Sequence, residues 1–169
     1  MRLRPVSMAE LPLLHAMVES AYRGESARAG WTHEADLIEG PRTSIAALEA
    51  IMRDSDQLLL VAEKDGVIVG CVQLSRYPAA TAYLGLLTVH PQRQAGGLGR
   101  GILAAAEVEA VQRLGARTIE LSVVSRRPEL IAYYERRGYV RTGEMRPFPI
   151  AIDPPLQLVV LAKPLPPRG

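Results

Sequence analysis

Thr88-Val89-His90-Pro91-Gln92-Arg93-Gln94-Ala95-Gly96-Gly97-Leu98-Gly99-Arg100-Gly101-Ile102-Leu103 decides the fold of this chain. An apolar run from Ala82 to Val89 leads into it and stops at His90-Pro91. Proline disfavours a helical conformation in the residue before it, so the run reads as a strand that ends there. Gly96, Gly97, Gly99 and Gly101 follow. Ile102 to Leu114 then reads as a helix. Leu103, Ala106, Ala110, Val111 and Leu114 share one face of it, and Gly115 stands at its end. The unit is strand, glycine-rich loop, helix. Such a loop lets backbone N–H groups converge where side chains would block them, and the helix N-terminus adds partial positive charge. The chemistry that suits this place is a phosphate.

Two common phosphate patterns fail here. Gly96 and Gly101 have the spacing of G-x-x-x-x-G-K-[ST], but Ile102 and Leu103 stand where the lysine and hydroxyl belong. After Gly97-Leu98-Gly99, the third glycine of G-x-G-x-x-G would fall at Ile102. What fits is Q/R-x-x-G-x-G/A, as Gln94-Ala95-Gly96-Gly97-Leu98-Gly99. A second segment, Ala132-Tyr133-Tyr134-Glu135-Arg136-Arg137-Gly138-Tyr139, closes a later helix. With the order of the strands, the two segments resemble the GNAT superfamily of N-acetyltransferases, from about Leu58 through most of the remaining chain.

Several expectations follow from the resemblance. The fold would be α/β (α+β), with a mixed, mostly antiparallel central sheet of six to seven strands, about four flanking helices and a splayed parallel strand pair. Gln94, Ala95, Gly96, Gly97, Leu98, Gly99 and Arg100 would hold the diphosphate of acetyl-CoA, the co-substrate. The backbone of Leu87, Thr88 and Val89 would pair with its pantetheine arm between the splayed strands. Tyr134 would be the general acid, and Glu25 to Thr43 would cover the acceptor side. One position departs from the family. Arg127 stands seven residues before Tyr134, where an asparagine often helps hold the cofactor arm, which leaves Arg127 facing a phosphate or solvent.

The rest of the chain supplies a frame for this unit. Arg2-Leu3-Arg4 is a short edge strand, and Ser7-Met8-Ala9-Glu10 is a capping box. Leu11, Leu14, Met17, Val18 and Ala21 form a helical stripe to about Tyr22, with Gly24 as its stop. Glu25 to Thr43 is irregular and holds Trp31, a short helix from His33 to Ile38 and the break Gly40-Pro41. Thr43 or Ser44 caps a helix whose Ile45, Leu48, Ile51 and Met52 turn inward. Lys64-Asp65-Gly66 joins two β-rich runs as a hairpin. Arg76 to Ala80 turns into the Tyr83–Val89 strand, where Gly85 suggests a bulge. Thr118 to Val124 lies parallel to that strand, because a crossover helix separates them. Pro128 opens the next helix, Gly138 ends it, and Tyr139-Val140 begins a strand. Phe148 to Pro155 is a loop and Leu156 to Lys163 the last strand. A single acetyltransferase domain thus spans 1–163, and 164–169 is a tail.

Composition narrows the partners. At 169 residues one domain with a real core is expected. Net charge is +2 and Lys64 and Lys163 are the only lysines, so no basic face for nucleic acid is evident. Cys71 stands alone, which excludes an internal disulfide, and His15, His33 and His90 lack metal-ligand spacing. No apolar run is long enough to span a bilayer and no signal peptide is evident, so a cytoplasmic address without membrane association is expected. A homodimer is the default among assemblies.

Acyl transfer from a thioester to an amine needs a neutral amine, a donor for the developing oxyanion and a proton for the departing thiolate. An alkyl amine resembles lysine, with a pKa of about 10.4, so it must lose a proton first. A backbone N–H freed by a bulge near Gly85 to Leu87 can serve as the donor. A phenol suits the acid role, since its pKa of roughly 10 lies above that of a thiol. Tyr83, Glu120 and Glu34 are candidates for the base, and a water chain is an alternative. The acids of Glu25–Glu39 fit a cationic small molecule, while Arg23, Arg28 and Arg42 fit a carboxylate. Together they suit an amino-acid-like acceptor. The reading is direct transfer to a primary amine of a small molecule, against the alternative of a non-catalytic acyl-CoA-binding or sensor module.

Overall fold

The computed structural model describes residues 1–28, 43–94, 96–148 and 153–167, the side chains of 23–28 excepted. Trp31, the expected short helix from His33 to Ile38 and the charges Glu34, Asp36, Glu39 and Arg42 lie outside the described residues. In chain order the elements are β1 (Arg2–Pro5), α1 (Leu11–Arg28), α2 (Ile45–Arg53), β2 (Gln57–Lys64), β3 (Val67–Tyr77), β4 (Thr81–Val89), α3 (Leu98–Leu114), β5 (Thr118–Val124), α4 (Pro128–Glu135), β6 (Val140–Pro147) and β7 (Gln157–Pro164). The strands form one seven-stranded sheet in the order β1-β2-β3-β4-β5-β7-β6. Every neighbouring pair is antiparallel except β4 and β5, which are parallel across the α3 crossover. This is the mixed, mostly antiparallel architecture expected from the sequence. No helix among the described residues is long and apolar enough to cross a membrane.

The period-2 pattern of the strands sorts the core onto two faces. On one, Ile102, Leu103, Ala106 and Ala110 of α3 and Ile131 and Tyr134 of α4 pack on Ala82, Leu84, Ile119 and Leu121. On the other, Leu11, Leu14, Met17 and Val18 of α1 and Leu48 of α2 pack on Leu59, Val61 and Cys71. The Asp65-Gly66 hairpin forms with both residues at positive φ, 53° and 77°, as a type I′ turn requires. Ser44 caps α2 by accepting from the Ala47 N–H at 3.0 Å. The Ser7–Glu10 capping box also forms, and it opens a 3-10 turn over Met8–Glu10 that runs into α1.

Four local expectations change. The first helix continues through Gly24 to Arg28, because an isolated glycine weakens a helix by only about 1 kcal/mol and does not by itself end one. Ile45 is exposed rather than inward, since it opens α2 before the packed turn at Leu48. The crossover helix begins at Leu98, not Ile102, so Gly99 and Gly101 lie inside its first turns. Leu165 is buried and its N–H donates to the Arg117 carbonyl at 2.8 Å, which extends the packed chain past Lys163.

Candidate active site

The site is built on a fork in the sheet. β4 and β5 are in register only at Thr81 with Thr118, Ala82 with Ile119, and Tyr83 with Glu120. Both strands then run on, to Val89 and Val124, without pairing with each other. Strand edges therefore open inside the molecule, where the right-handed twist of each strand carries them apart. β4 is still held on its other side, with Cys71 opposite Thr88 and Gly70 opposite Val89. A side chain at position 70 would not fit: a Cβ there would sit 2.5 Å from the Thr88 carbonyl oxygen and 2.6 Å from Ile102 Cδ1. Glycine lets β3, β4 and the first turns of α3 meet.

The expected bulge exists, one residue beyond Gly85. The register with β3 shifts between Gln73 opposite Gly85 and Cys71 opposite Thr88, and Leu86 takes a φ of 50°. A non-glycine residue there is strained, and such strain persists only when its surroundings fix it. Here the Leu86 carbonyl accepts from the Thr88 hydroxyl at 3.0 Å and from the Cys71 thiol at 3.4 Å. The bulge also exchanges the faces of the strand. Leu86 packs with the α1/α2 core, and Leu87 and Val89 pack with the α3/α4 core. Leu86 and Leu87 have no register partner on β3 or on β5. Burial pushes the Cys71 thiol up to about 12, so it stays a neutral donor. The fold puts Cys71 on β3, beside the strand that leads to the glycine loop.

Past Val89, His90 Nδ1 accepts from the Gln92 N–H at 3.2 Å and caps a 3-10 turn over Pro91–Arg93. Gln94 is exposed, and Ala95 lies outside the described residues. Gly96 and Gly97 have φ of 95° and 77°, conformations that a side chain strains, and Gly97 is the N-cap of α3. The first N–H groups of the helix thus open onto the loop without helical acceptors. Leu98 packs on the α3/α4 core, and Arg100 extends beside Gly97. Arg93, Arg100 and Arg137 form no ion pair among the described residues. Unpaired cations, left-handed glycines and a helix N-terminus form a cradle that fits a diphosphate.

Tyr134 lies buried in the α3/α4 core, edge-on to Tyr133 at 5.3 Å and to Tyr139 at 5.7 Å between ring centroids. Its neighbour Tyr133, which sequence reading passed over, reaches the loop. The Tyr133 hydroxyl lies 3.7 Å from where a Cβ of Gly99 would stand. Arg127 caps α4 and its Nε donates to Glu129 at 2.8 Å, so the position of the missing asparagine is occupied by a local ion pair.

On the α1/α2 face, polar groups bridge the fork. Tyr83 and Ser122 share a hydrogen bond between their hydroxyls just beyond the last paired residues. Tyr83 stacks on Tyr77, with centroids 5.1 Å apart. Glu120 accepts from Arg146 at 3.1 Å, and Arg146 also pairs with Glu144. Ser122 and Arg146 were not singled out from sequence; the only signal for Ser122 was the alternation that puts Glu120, Ser122 and Val124 on one face of β5, and Arg146 on β6 had none. The base candidate Glu34 lies outside the described residues.

No curated protein matches the sequence. Among solved structures, the fold is similar to the ribosomal-protein-S18-alanine N-acetyltransferase from Escherichia coli, with a TM-score of 0.74 and 20% identity over 99% of this chain and 96% of that one. It is similar to PaiA N-acetyltransferase from Thermoplasma acidophilum in complex with coenzyme A, with a TM-score of 0.72 and 18% identity over 96% of this chain and 98% of that one. The spermidine N-acetyltransferase from Vibrio cholerae in complex with CoA and spermine gives a TM-score of 0.71 and 20% identity over 95% of this chain and 93% of that one. The acetyltransferase (GNAT) family model matches residues 17–139, a span that holds the fork, the glycine loop and the tyrosine helix, and this chain therefore belongs to that family.

Proposed function

We propose that this protein is an acetyl-CoA-dependent N-acetyltransferase that transfers the acetyl group directly to a primary amine of a small, amino-acid-like molecule. The observation that carries the reading is the fork. One arm, β4, ends in a phosphate cradle; the other, β5, leads to the tyrosine helix, and the edges between them have no strand partner. Backbone groups of Leu87 and Val89 on that edge are free to pair with an amide-bearing arm, while the Thr88 carbonyl turns to Gly70 of β3 and holds the edge in place. Gly96, Gly97, Leu98, Gly99 and Arg100, with Gln94 and Ala95, hold the diphosphate at its end. The acceptor enters from the α1/α2 face, where Tyr83, Ser122 and the Arg146–Glu120 pair line the fork.

The chain's own groups then divide the work. A bulge N–H between Gly85 and Leu87 donates to the oxygen on which charge develops. Tyr134 gives its proton to the departing thiolate. The Tyr83–Ser122 pair relays the proton that the amine loses to water, each hydroxyl releasing one proton as it takes one. The Glu120 carboxylate is engaged by Arg146 and takes no part in this transfer. No side chain is acylated on the way. Positioning of thioester against amine supplies most of the rate.

The test is release of free CoA thiol across a panel of amines, for the native chain and Tyr134→Phe. The variant should lose about 10²- to 10⁴-fold in kcat with unchanged coenzyme affinity. Unchanged turnover would reject the acid role, and a chain that binds acetyl-CoA but releases no thiol with any amine would favour a binding module.

A further inference from the structure

We infer that Arg137 is a phosphate-binding residue of the coenzyme site, carried to the loop on the ring of Tyr133. The inference rests on the acyl-CoA reading above and extends it to a residue outside the loop. Tyr133 and Arg137 stand four apart at the C-terminal end of α4, a spacing that brings side chains together. The guanidinium carbon lies 3.7 Å over the centre of the Tyr133 ring, and the hydroxyl of that ring lies beside Gly99. One aromatic ring thus separates the cation from the first turn of α3.

The guanidinium is half used. Its Nη1 donates to the Tyr133 carbonyl at 2.7 Å, which fixes the side chain. The other edge, Nε with Nη2, is the edge that grips two oxygens of a phosphate or carboxylate in parallel. Nε is buried and has no hydrogen-bond partner, the one such buried side-chain atom among the described residues. A buried orphan donor is costly, so it points to an acceptor that arrives from outside. The chain's own carboxylates are committed elsewhere. Glu135 pairs with Arg141, Glu129 with Arg127, and Glu107 with Tyr139 and Lys163. With Arg93 and Arg100, Arg137 makes the third unpaired guanidinium around the glycine cradle. Coenzyme A offers two phosphate sources in this neighbourhood, its diphosphate and its 3′-phosphate.

Calorimetric titration of the full chain with coenzyme A and with 3′-dephospho-coenzyme A tests this, in the native protein, Arg137→Met and Arg137→Lys. Arg137→Met should bind coenzyme A roughly ten- to hundredfold more weakly, the loss of one charge-assisted contact, and Arg137→Lys should recover part of it. Its melting temperature should fall by no more than a few degrees, because the change removes an unsatisfied donor along with the Nη1 bond to the Tyr133 carbonyl. A loss confined to coenzyme A assigns the contact to the 3′-phosphate, and an equal loss for both ligands assigns it to the diphosphate; either supports the inference. Unchanged affinity for both ligands overturns it. A native chain that binds neither would instead sink the acyl-CoA reading itself.

Discussion

A sheet of seven strands has outer edges, and this one also has an inner edge. At the outer edge, β1 is four residues long and ends at Pro5, and its half-buried Arg4 is matched by two carboxylates. Arg4 donates to Glu10 at 2.7 and 2.9 Å and to Glu63 at 2.6 Å, joining the edge strand, the 3-10 turn and β2. At the inner edge, between β4 and β5, the opposite holds. Strand partners are missing past Tyr83, a strained residue is kept at Leu86, and Arg93 and Arg100 beside the glycine loop have no carboxylate partner among the described residues. A short, charged outer edge that ends in a proline keeps other chains from adding to the sheet. An unsaturated inner edge leaves hydrogen-bonding and charge capacity for a ligand. The difference teaches that what is complete in this molecule builds the fold, and what is incomplete builds the site.

The harshest way to break the inner edge is to fill the space that Gly70 leaves. In Gly70→Ala the new methyl would meet a backbone carbonyl at 2.5 Å, and backbone cannot rotate away as a side-chain end can. Overpacking of this kind costs about 1–3 kcal/mol. Here it should also shift the Thr88 carbonyl and the start of α3, so coenzyme binding should fall together with stability. Urea unfolding and calorimetry on the same sample measure both. A variant with native midpoint and native affinity would show that the fork does not depend on this contact.

A milder break releases the bulge. Thr88→Val keeps the shape of the side chain and removes the hydroxyl that Leu86 accepts from. The expected loss is about 1 kcal/mol of stability. Turnover should fall with little change in KM for the amine if the bulge donates to the oxyanion as proposed; Thr88→Ser should restore it. Equal effects in Ser and Val variants would point to packing instead. The other donor, Cys71, sharpens the comparison chemically. Its thiol is pushed up to about 12 by burial, so a maleimide at neutral pH should label it only after unfolding. The sign is that of a raised acid. Below pH ~9 the thiol is neutral in both states; above it the unfolded chain ionises first and stability declines. Fast labelling of the native protein would contradict the burial and reopen a covalent route through this sulfur.

The two edges were not equally legible in the sequence. The outer one was open to reading because its rules are local: a serine three residues before a glutamate, a short run before a proline. The glycine loop was legible for the same reason, since positive φ selects glycine at Gly96 and Gly97. The helix start was misjudged by four residues because Gly99 and Gly101 look like loop, yet the N-cap at Gly97 and tertiary packing of Ile102 and Leu103 carry a helix through them. The inner edge was harder. That β4 and β5 run parallel follows from the crossover, but where their pairing stops depends on twist summed over the sheet. Gly85 announced a bulge and Leu86 holds it, because the hydroxyl and thiol that fix the carbonyl come from Thr88 and from another strand. Tyr133 and Arg137 were hidden inside a motif whose second tyrosine drew the attention, and only coordinates show which ring faces Gly99.

The smallest effect belongs at the outer edge, and it serves as the control for the rest. The Arg4 hydrogen bonds, with the Ser7 N–H, hold the Glu10 carboxyl down at about 2. A depressed acid contributes stability that is fully present above its unfolded pKa of about 4.3 and disappears as pH falls toward the folded value. The melting temperature of the native chain should therefore drop between roughly pH 4 and pH 2, and part of that drop should be missing in Glu10→Gln. The carboxylate is partly exposed, so solvent screening limits the neutral-pH cost of the substitution to about 1 kcal/mol or less. Turnover and coenzyme affinity should stay at native values, because the hydrogen bonds of the Glu10 carboxylate go to Arg4 and Ser7 and not to β4, β5 or the glycine loop. If Glu10→Gln lowered coenzyme affinity as much as Gly70→Ala does, saturated and unsaturated edges would be energetically coupled, and the division between fold-building and site-building charge would fail.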